Sequence, residues 1–302
     1  MTEHDQPRAG FVSLIGAPNA GKSTLMNTLV GQKVSIVTPK VQTTRSRVRG
    51  IAMHDGAQIV FVDTPGIFKP KRRLDRAMVS AAWQGASDSD LVVLVHDAAR
   101  AKIDDDTARI LDNLARNNIT ASLVLNKIDL VEPERLLARA AEMMEVVPFT
   151  KVFMVSAEKG KGTDDFLAWL AGEMPPGPYL FDPDDLSDMP QRLLAAEILR
   201  EKLFLNMHQE LPYQLTVETE RWVEREDGSA EVHCTIYVMR EGHRGIILGK
   251  GGQTLGRIGK AARLELEAAL DRRIHLMTHV KHSKDWMNDP SRYRDWELDF
   301  NA

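Results

Sequence analysis

Apolar and polar positions follow two different patterns along the chain, and the change falls near residue 174. Before it, short apolar runs alternate with amphipathic stretches, which is typical of buried strands connected by helices. The predicted strands are Phe11–Ile15, Ile59–Val62, Leu91–Val95, Ser122–Leu125 and Val152–Val155. The predicted helices lie near 24–31, 74–86, 105–116, 133–145 and 164–171. This order predicts an α/β domain with a mostly parallel sheet and helices on both faces.

Two further patterns complete the first half of the chain. The alternating stretches Arg47–Met53 and Ala57–Val62 flank a His-Asp-Gly turn and predict an antiparallel hairpin at the sheet edge. Residues 174–190 are rich in proline and aspartate, which removes backbone donors and adds like charges. We therefore predict a first domain over residues 1–173 and an extended, unpacked linker over 174–190.

The remainder, residues 191–302, has a different order of elements. Gln191–Leu205 is an amphipathic helix, and two alternating stretches, Gln214–Glu224 and Ala230–Val238, read as strands. A short helix then meets the glycine-rich run Gly249–Gly252, a second helix follows, and Arg273–Val280 reads as a last strand. The order helix, strand, strand, helix, helix, strand predicts a smaller α+β domain with a carboxyl-terminal tail.

Composition excludes several classes of protein. The chain has 302 residues with 39 Lys and Arg against 43 Asp and Glu, so it is not basic overall. Its single cysteine, Cys234, cannot form an internal disulfide, which favours a reducing compartment. The polar amino terminus lacks the apolar stretch of a signal peptide, and no run of about 18 apolar residues occurs. We expect a cytoplasmic protein that does not span a membrane.

The stretch Gly16–Ser23 matches G-x-x-x-x-G-K-S between a predicted strand and a predicted helix. Glycines let the backbone wrap phosphate groups, and the helix presents its positive end to them. Lys22 can reach the outer phosphates, and the Ser23 hydroxyl can ligate magnesium. The residues that this motif places at the nucleotide are Gly16, Ala17, Pro18, Asn19, Ala20, Gly21, Lys22, Ser23 and Thr24.

A second motif, Asn126–Asp129, follows the buried run Ser122–Leu125, at a strand end where α/β sheets bind ligands. The Asp129 carboxylate can accept two hydrogen bonds from guanine, whereas adenine lacks that pair of donors. Ser156–Glu158, after the next strand, can close the base pocket through the Ala157 backbone N–H. The residues assigned to the base are Asn126, Lys127, Ile128, Asp129, Ser156, Ala157 and Glu158.

Two segments are candidates for contacting the γ-phosphate and its magnesium ion. Asp63, Thr64, Pro65, Gly66 and Ile67 end a predicted strand. Asp63 can hold magnesium through a water, and the Gly66 N–H can contact the γ-phosphate. Between the P-loop helix and the edge hairpin, a threonine pair offers a further hydroxyl to magnesium, and we favour Thr44 over Thr43.

Together these motifs resemble the Ras-like GTPases of the translation-factor-related class over residues 10–172. The resemblance implies binding and hydrolysis of GTP with magnesium held by Ser23 and Thr44, and Lys22, Thr44, Asp63, Gly66 and Asn19 as the catalytic set. Ile67 stands where a water-orienting glutamine is usual, which implies slow intrinsic turnover. In several relatives the residue matching Asn19 holds a potassium ion. Here Asn19 either does the same or braces the loop.

The glycine-rich run of the second domain has an I-I-x-G-x-x-G core flanked by helices, and residues 240–284 carry a formal charge of +6. Small residues let a phosphodiester backbone approach, and cations bind it. Element order and loop resemble a type II KH domain, an RNA-binding module. The candidate RNA-binding residues are Arg244, Ile246, Ile247, Gly249, Lys250, Gly251, Gly252, Arg257 and Lys260. The tail aromatics Trp286, Tyr293, Trp296 and Phe300 either stack on bases or pack back on the protein.

GTPase motifs, a proline-rich linker and a KH pattern in one chain resemble the Era family of bacterial GTPases. That resemblance implies a monomer that binds ribosomal RNA of the small subunit near its 3′ end and times small-subunit assembly by GTP hydrolysis. It also implies peripheral association with the inner membrane. Two alternatives stay open from the residues alone: an assembly factor whose nucleotide is structural and rarely hydrolysed, and an ATPase with an RNA module.

Overall fold

The computed structural model describes residues 6–302; the extreme amino terminus, part of the polar segment discussed above, lies outside the described residues. The chain divides into two compact units. The first extends to Asp188 and also includes Pro290–Ala302, and the second is Met189–Asp289. None of the helices between residues 6 and 302 is long and apolar enough to cross a membrane.

The first unit contains a six-stranded sheet in the order β2-β3-β1-β4-β5-β6. Its strands are β1 (Arg8–Ile15), β2 (Val48–His54), β3 (Ala57–Asp63), β4 (Leu91–Asp97), β5 (Ser122–Asn126) and β6 (Val152–Met154). β2 pairs antiparallel with β3, and the other pairs are parallel. The predicted α/β class is confirmed. The carboxyl ends of β1, β3, β4 and β5 therefore meet at one edge, where a ligand can bind.

Helices follow most of these strands, as the apolar periodicity predicts. They are α1 (Lys22–Val30), α2 (Arg73–Ser87), α3 (Asp105–Arg116), α4 (Pro133–Met144) and α5 (Thr163–Glu173). The beginning of α3 is fixed by Asp104, whose side chain accepts hydrogen bonds from the backbone N–H groups of Asp106 and Thr107. Central strand positions are almost fully buried, and every residue of β3 is buried.

The proline-rich linker is extended as predicted, but it is packed rather than free. The Gln58 side chain is buried and accepts hydrogen bonds from the N–H groups of Leu180, at 2.7 Å, and Phe181, at 3.0 Å. The Ile51 N–H of edge strand β2 donates to the Leu186 carbonyl at 2.9 Å. The linker residues between the prolines keep their backbone polar groups, and these pair with the sheet edge.

The tail also differs from the predicted domain limits, because Pro290–Ala302 belongs to the first unit. Tyr293 and Trp296 are buried, and the Phe300 ring lies edge-on to Tyr293 with centroids 5.0 Å apart. The Arg73 guanidinium, at the start of α2, lies 4.4 Å from the centroid of the Phe300 ring. These aromatic side chains were predicted either to stack on bases or to pack on the protein, and the structure shows them packed on the protein.

The second unit has the predicted order of elements. They are α6 (Gln191–Asn206), β7 (Leu215–Glu224), β8 (Ala230–Val238), α7 (Glu241–Leu248), α8 (Gln253–Leu270) and β9 (Ile274–His282). β8 lies between an antiparallel β7 and a parallel β9. The helices cover this sheet over an apolar core that includes Cys234. Burial raises the pKa of the Cys234 thiol to about 11, so this cysteine is a core residue rather than a reactive one.

Candidate functional site

The loop between β1 and α1 has a conformation that few other sequences tolerate. Gly21 has φ of 93°, and a Cβ atom there would lie 2.2 Å from the Asn126 side-chain nitrogen. Asn19 also has a positive φ, of 63°, which is uncommon outside glycine. The loop is therefore tightly fitted against the end of β5, as expected for a preorganised phosphate site.

Side chains hold the carbonyl oxygens of this loop. Lys22 Nζ lies 3.3 Å from the Gly16 oxygen and 3.4 Å from the Ala17 oxygen. Lys127 Nζ donates to the Asn19 oxygen at 2.9 Å, and an Asn126 N–H donates to the Ala20 oxygen at 3.0 Å. These hydrogen bonds satisfy carbonyl oxygens of the loop, which suits a loop that must receive an anion.

A cavity of about 590 Å³ opens beside the loop, and a smaller one of about 70 Å³ adjoins it. A volume of this order suits a nucleotide. The predicted residues that line them are Pro18, Asn19, Gly21, Lys22, Ser23, Thr24, Thr44, Gly66, Asn126, Lys127, Asp129, Ser156, Ala157 and Glu158. The other predicted nucleotide residues do not line either cavity: Gly16, Ala17, Ala20, Asp63, Thr64, Pro65, Ile67 and Ile128.

Three chain segments converge on the Asp63 carboxylate. Its Oδ2 accepts hydrogen bonds from the hydroxyls of Ser23 at 2.6 Å, Ser35 at 3.0 Å and Thr44 at 3.3 Å. The Ser23 and Thr44 hydroxyl oxygens are themselves 3.1 Å apart. Burial raises the pKa of Asp63, while nearby Lys22 and these hydroxyls favour its charged form. The cluster joins the P-loop, the segment before β2 and the end of β3.

These groups fit a magnesium ion. Ser23, Thr44 and Asp63 offer only oxygen ligands, which Mg²⁺ prefers. The second carboxylate oxygen of Asp63, Oδ1, is buried and has no hydrogen-bond partner within residues 6–302. An unpartnered buried oxygen is costly unless a cation or water satisfies it. When bound with the nucleotide, magnesium supplies positive charge against the phosphate oxygens.

The two threonines differ in their hydrogen-bond partners. The Thr43 hydroxyl lies 2.6 Å from the Thr38 hydroxyl and donates to the Lys40 oxygen at 2.7 Å, within its own loop. Thr44 instead faces Ser23 and Asp63. The preference for Thr44 thus agrees with the geometry.

The residues after β3 serve different purposes. A Cβ atom on Gly66 would lie 3.0 Å from Pro18, so only a small residue lets these two loops approach so closely. The Thr64 hydroxyl donates to the Leu14 oxygen at 2.9 Å, away from the cavity. Ile67 is buried in the apolar core and its N–H donates to the Gly16 oxygen at 3.0 Å. Its side chain is therefore unable to orient an attacking water.

The base-binding region differs in one detail from the prediction. The Ala157 N–H, expected to face the base, donates to Asn126 Oδ1 at 3.0 Å. Asn126 thus links the P-loop to the segment after β6. Asp129 is exposed at the cavity edge, and hydrogen bonding by Ser156 lowers the pKa of its carboxyl group. That carboxylate is ionised at neutral pH and open to a ligand with two N–H donors.

In the second unit, the glycine-rich loop between α7 and α8 also needs glycine. Gly249 has φ of 68°, and a Cβ atom there would lie 2.1 Å from the Thr254 hydroxyl. A Cβ atom on Gly251 or Gly252 would meet no atom within 4 Å, so the loop has an open side. An open, unobstructed backbone is what a phosphodiester needs to approach.

Cations lie in this loop and on the two helices that flank it. Lys250, Arg257 and Lys260 are exposed and form no ion pair within the part of the chain that the structure describes, whereas Arg244 lies 3.4 Å from Glu241. Ile246 is 59% exposed beside them. Ile247 is fully buried in the core, so its predicted direct contact with RNA is wrong: on a helix, adjacent residues face different sides, and only one of this pair can face outward.

Sequence reasoning missed several residues of the site. Ser35 reaches Asp63, and Asp97, at the end of β4, pairs with Lys127 at 2.7 Å. Arg100 lines the larger cavity. Asp97 could have been found from the sequence, because it is a carboxylate at the end of a buried strand. Ser35 and Arg100 lie in irregular segments and carry no such signal.

Together, the fold and the site define a P-loop GTPase joined to a KH module. Family models agree: one described as a 50S ribosome-binding GTPase matches residues 11–127, and a KH domain model matches residues 210–287. The chain is 54% identical to GTPase Era of Dinoroseobacter shibae over 99% of this chain and 98% of that protein. It is 56% identical to GTPase Era of Mesorhizobium japonicum, over 97% and 94%. The chain belongs to the GTPase Era family.

Solved structures support the same assignment. The chain superposes with a TM-score of 0.89 on a point variant of Aquifex aeolicus Era bound to GDP and aluminium fluoride, at 37% identity. A second structure, Era with MgGDPNP and nucleotides 1506–1542 of 16S ribosomal RNA, gives a TM-score of 0.90 at 37% identity. Each match covers 96% of this chain and 98% of the other. The chain is a GTPase that uses a guanine nucleotide and magnesium.

Proposed function

We propose that this GTPase binds small-subunit ribosomal RNA near its 3′ end and uses GTP hydrolysis to time maturation of the small ribosomal subunit. The observation that carries the proposal is the convergence of Ser23, Thr44 and Asp63, because it ties two loops to the magnesium position. Loss of the γ-phosphate and its magnesium contacts releases such loops. The open glycine loop and its free cations support RNA binding by the same chain.

In this proposal each residue at the phosphates has a distinct role. Lys22 neutralises charge on the outer phosphates, and Ser23 and Thr44 ligate magnesium. Asp63 holds that ion through a water, and Gly66 donates its N–H to the γ-phosphate. Because Ile67 is apolar and buried, it cannot orient the attacking water, and we expect slow turnover without RNA.

The test is GTP turnover by the full chain with a 16S 3′-end RNA, with a 23S fragment of equal length, and without RNA. We expect only the 16S fragment to stimulate phosphate release. Lys250→Ala should weaken RNA binding about three- to tenfold and lower its salt dependence, since one phosphate contact is lost. Arg225→Ala, which removes a cation paired with Glu231, is the matched control and should leave both unchanged.

Other outcomes of that experiment favour other functions. A near-zero rate with either RNA would favour an assembly factor whose nucleotide is structural. Stimulation by the 23S fragment instead would favour a large-subunit target, as the description of the matching GTPase family suggests.

We further propose that Asn19 binds a potassium ion that assists hydrolysis. The Asn19 side-chain N–H donates a hydrogen bond to the Pro39 carbonyl oxygen at 3.0 Å, and both residues line the larger cavity. Oxygen atoms of such groups are suitable ligands for a hard cation.

We expect turnover in potassium chloride to exceed turnover in sodium chloride at equal ionic strength. Asn19→Gly, which tolerates the positive φ of this position, should abolish the difference while GDP affinity changes little, because the base and the β-phosphate are held by other residues. Equal rates in both salts with the parent chain would show that Asn19 only braces the loop.

The cellular context is proposed from family membership. We propose a cytoplasmic monomer that reaches the inner membrane only peripherally. Sedimentation of the purified chain, alone and with anionic lipid vesicles, tests both statements. A dimer, or tight binding to vesicles that salt does not reverse, would contradict them.

A further inference from the structure

We infer that Arg100 is a positioning residue for GTP hydrolysis, which holds Pro18 of the P-loop against Gly66. The inference rests on the nucleotide site proposed above. Arg100 follows β4 and lines the same cavity as Lys22, Thr44 and Gly66. None of the motifs that define the site includes it.

The Arg100 side chain is fixed from two sides. Its Nη2 donates to the Pro18 carbonyl oxygen at 2.9 Å, and its Nη1 lies 2.6 Å from the Asp104 carboxylate. Asp104 is itself immobilised, because it caps α3 through the N–H groups of Asp106 and Thr107. The guanidinium thus connects a rigid helix end to the P-loop, and its planar donors suit two partners at once.

Pro18 can be held by few groups other than Arg100. Proline has no N–H, so its carbonyl oxygen is the one main-chain group through which a hydrogen bond can hold it. The neighbouring carbonyls of Ala17 and Asn19 have their own cationic donors, Lys22 and Lys127. Arg100 completes this series of donors at the residue between them.

The position of Pro18 matters because of what it touches. A Cβ atom on Gly66 would lie 3.0 Å from Pro18 N, Cα and Cγ, so the two residues abut. Gly66 is the residue proposed to donate to the γ-phosphate, and buried Ile67 cannot orient water. A shift of Pro18 would therefore move the wall beside the γ-phosphate, whereas the base contacts at Asp129 lie elsewhere in the site.

The experiment compares Arg100→Ala and Arg100→Lys in the full chain with Arg109→Ala, which removes an arginine of α3 paired with a nearby aspartate, Asp106. For Arg100→Ala we expect kcat to fall about tenfold, since misplacement by about an ångström has effects of this size or larger. GDP affinity should stay within twofold, while affinity for GDP with aluminium fluoride should fall about tenfold. Arg100→Lys should recover part of kcat, because lysine can still donate to Pro18.

Unchanged kcat in Arg100→Ala would overturn the inference. So would an equal loss of affinity for GDP alone and for GDP with aluminium fluoride, because that pattern indicates general damage to the loop. If thermal unfolding with GDP shows that Arg100→Ala does not fold, Arg100→Lys and Asp104→Asn replace it in the test. Each of these variants must then lower kcat without an equal loss of GDP affinity, or the inference is wrong. Absence of turnover in the parent chain would instead contradict the proposed function.

Discussion

Replacing Lys22 by alanine should lower kcat/KM for GTP by about 10²–10³-fold, the loss typical when one preorganised charge or donor is removed from a transition-state site. Lys22 is 6% exposed and its ammonium group contacts the Gly16 and Ala17 carbonyl oxygens. Alanine leaves both oxygens without that donor and removes the positive charge from the phosphate site. Steady-state phosphate release with saturating magnesium measures the effect.

Replacing Lys22 by alanine should also weaken magnesium binding at low pH. Burial lowers the pKa of Lys22, and the neighbouring Asp63 carboxylate opposes this shift. Without Lys22, the buried Asp63 carboxyl loses an opposite charge and its pKa should rise further. Below that pKa the carboxyl is protonated and binds magnesium poorly, so weak binding should extend to higher pH than in the parent chain.

Lys102→Ala, which removes an exposed cation outside the two cavities, is the control for net charge. It should leave both kcat/KM and the magnesium dependence unchanged. Turnover of Lys22→Ala at the parent rate would place catalysis outside this loop. Thermal unfolding with GDP separates loss of chemistry from loss of folding.

The nucleotide site could be predicted from the sequence because its chemistry lies in contiguous residues. The P-loop needs Gly16, Gly21 and Lys22 at fixed spacing, and the predicted base-binding motif places Asn126 and Asp129 at the end of a buried strand. Each such segment is specified locally by backbone conformation and by the strand it follows. Buried parallel strands are also continuous apolar runs, so the sheet and its open edge were predictable.

Residues that act through tertiary contacts were not predictable in this way. Arg100 donates a hydrogen bond to Pro18, which lies 82 residues earlier in the sequence. The Gln58 side chain accepts a hydrogen bond from the linker, which lies more than 120 residues later. The tail shows the same limit: its aromatic residues are compatible with stacking on RNA or with packing. Only the position of Arg73 and the burial of Tyr293 distinguish the two.

Replacing Asp129 by asparagine should reverse the base preference of the site. The ionised carboxylate can accept hydrogen bonds from the N1–H and the exocyclic amine of guanine, whereas the asparagine side chain presents one acceptor and one N–H₂ donor. The donor then faces the guanine amine, and we expect GTP affinity to fall about 10²–10³-fold, as for other sites with mismatched hydrogen-bonding groups. Xanthine carries a carbonyl in place of that amine, so XTP affinity should rise.

Competition between GTP, XTP and ATP for a fluorescent GDP analogue measures this change in preference. Asp112→Asn, which alters an exposed carboxylate on α3, is the matched control and should bind as the parent does. Hydrogen bonding by Ser156 lowers the pKa of Asp129, so the parent should prefer GTP over ATP equally at pH 6 and pH 8. A preference for GTP that survives in Asp129→Asn would mean that the base is read elsewhere, and the Asn126–Asp129 segment would then serve only to hold the P-loop.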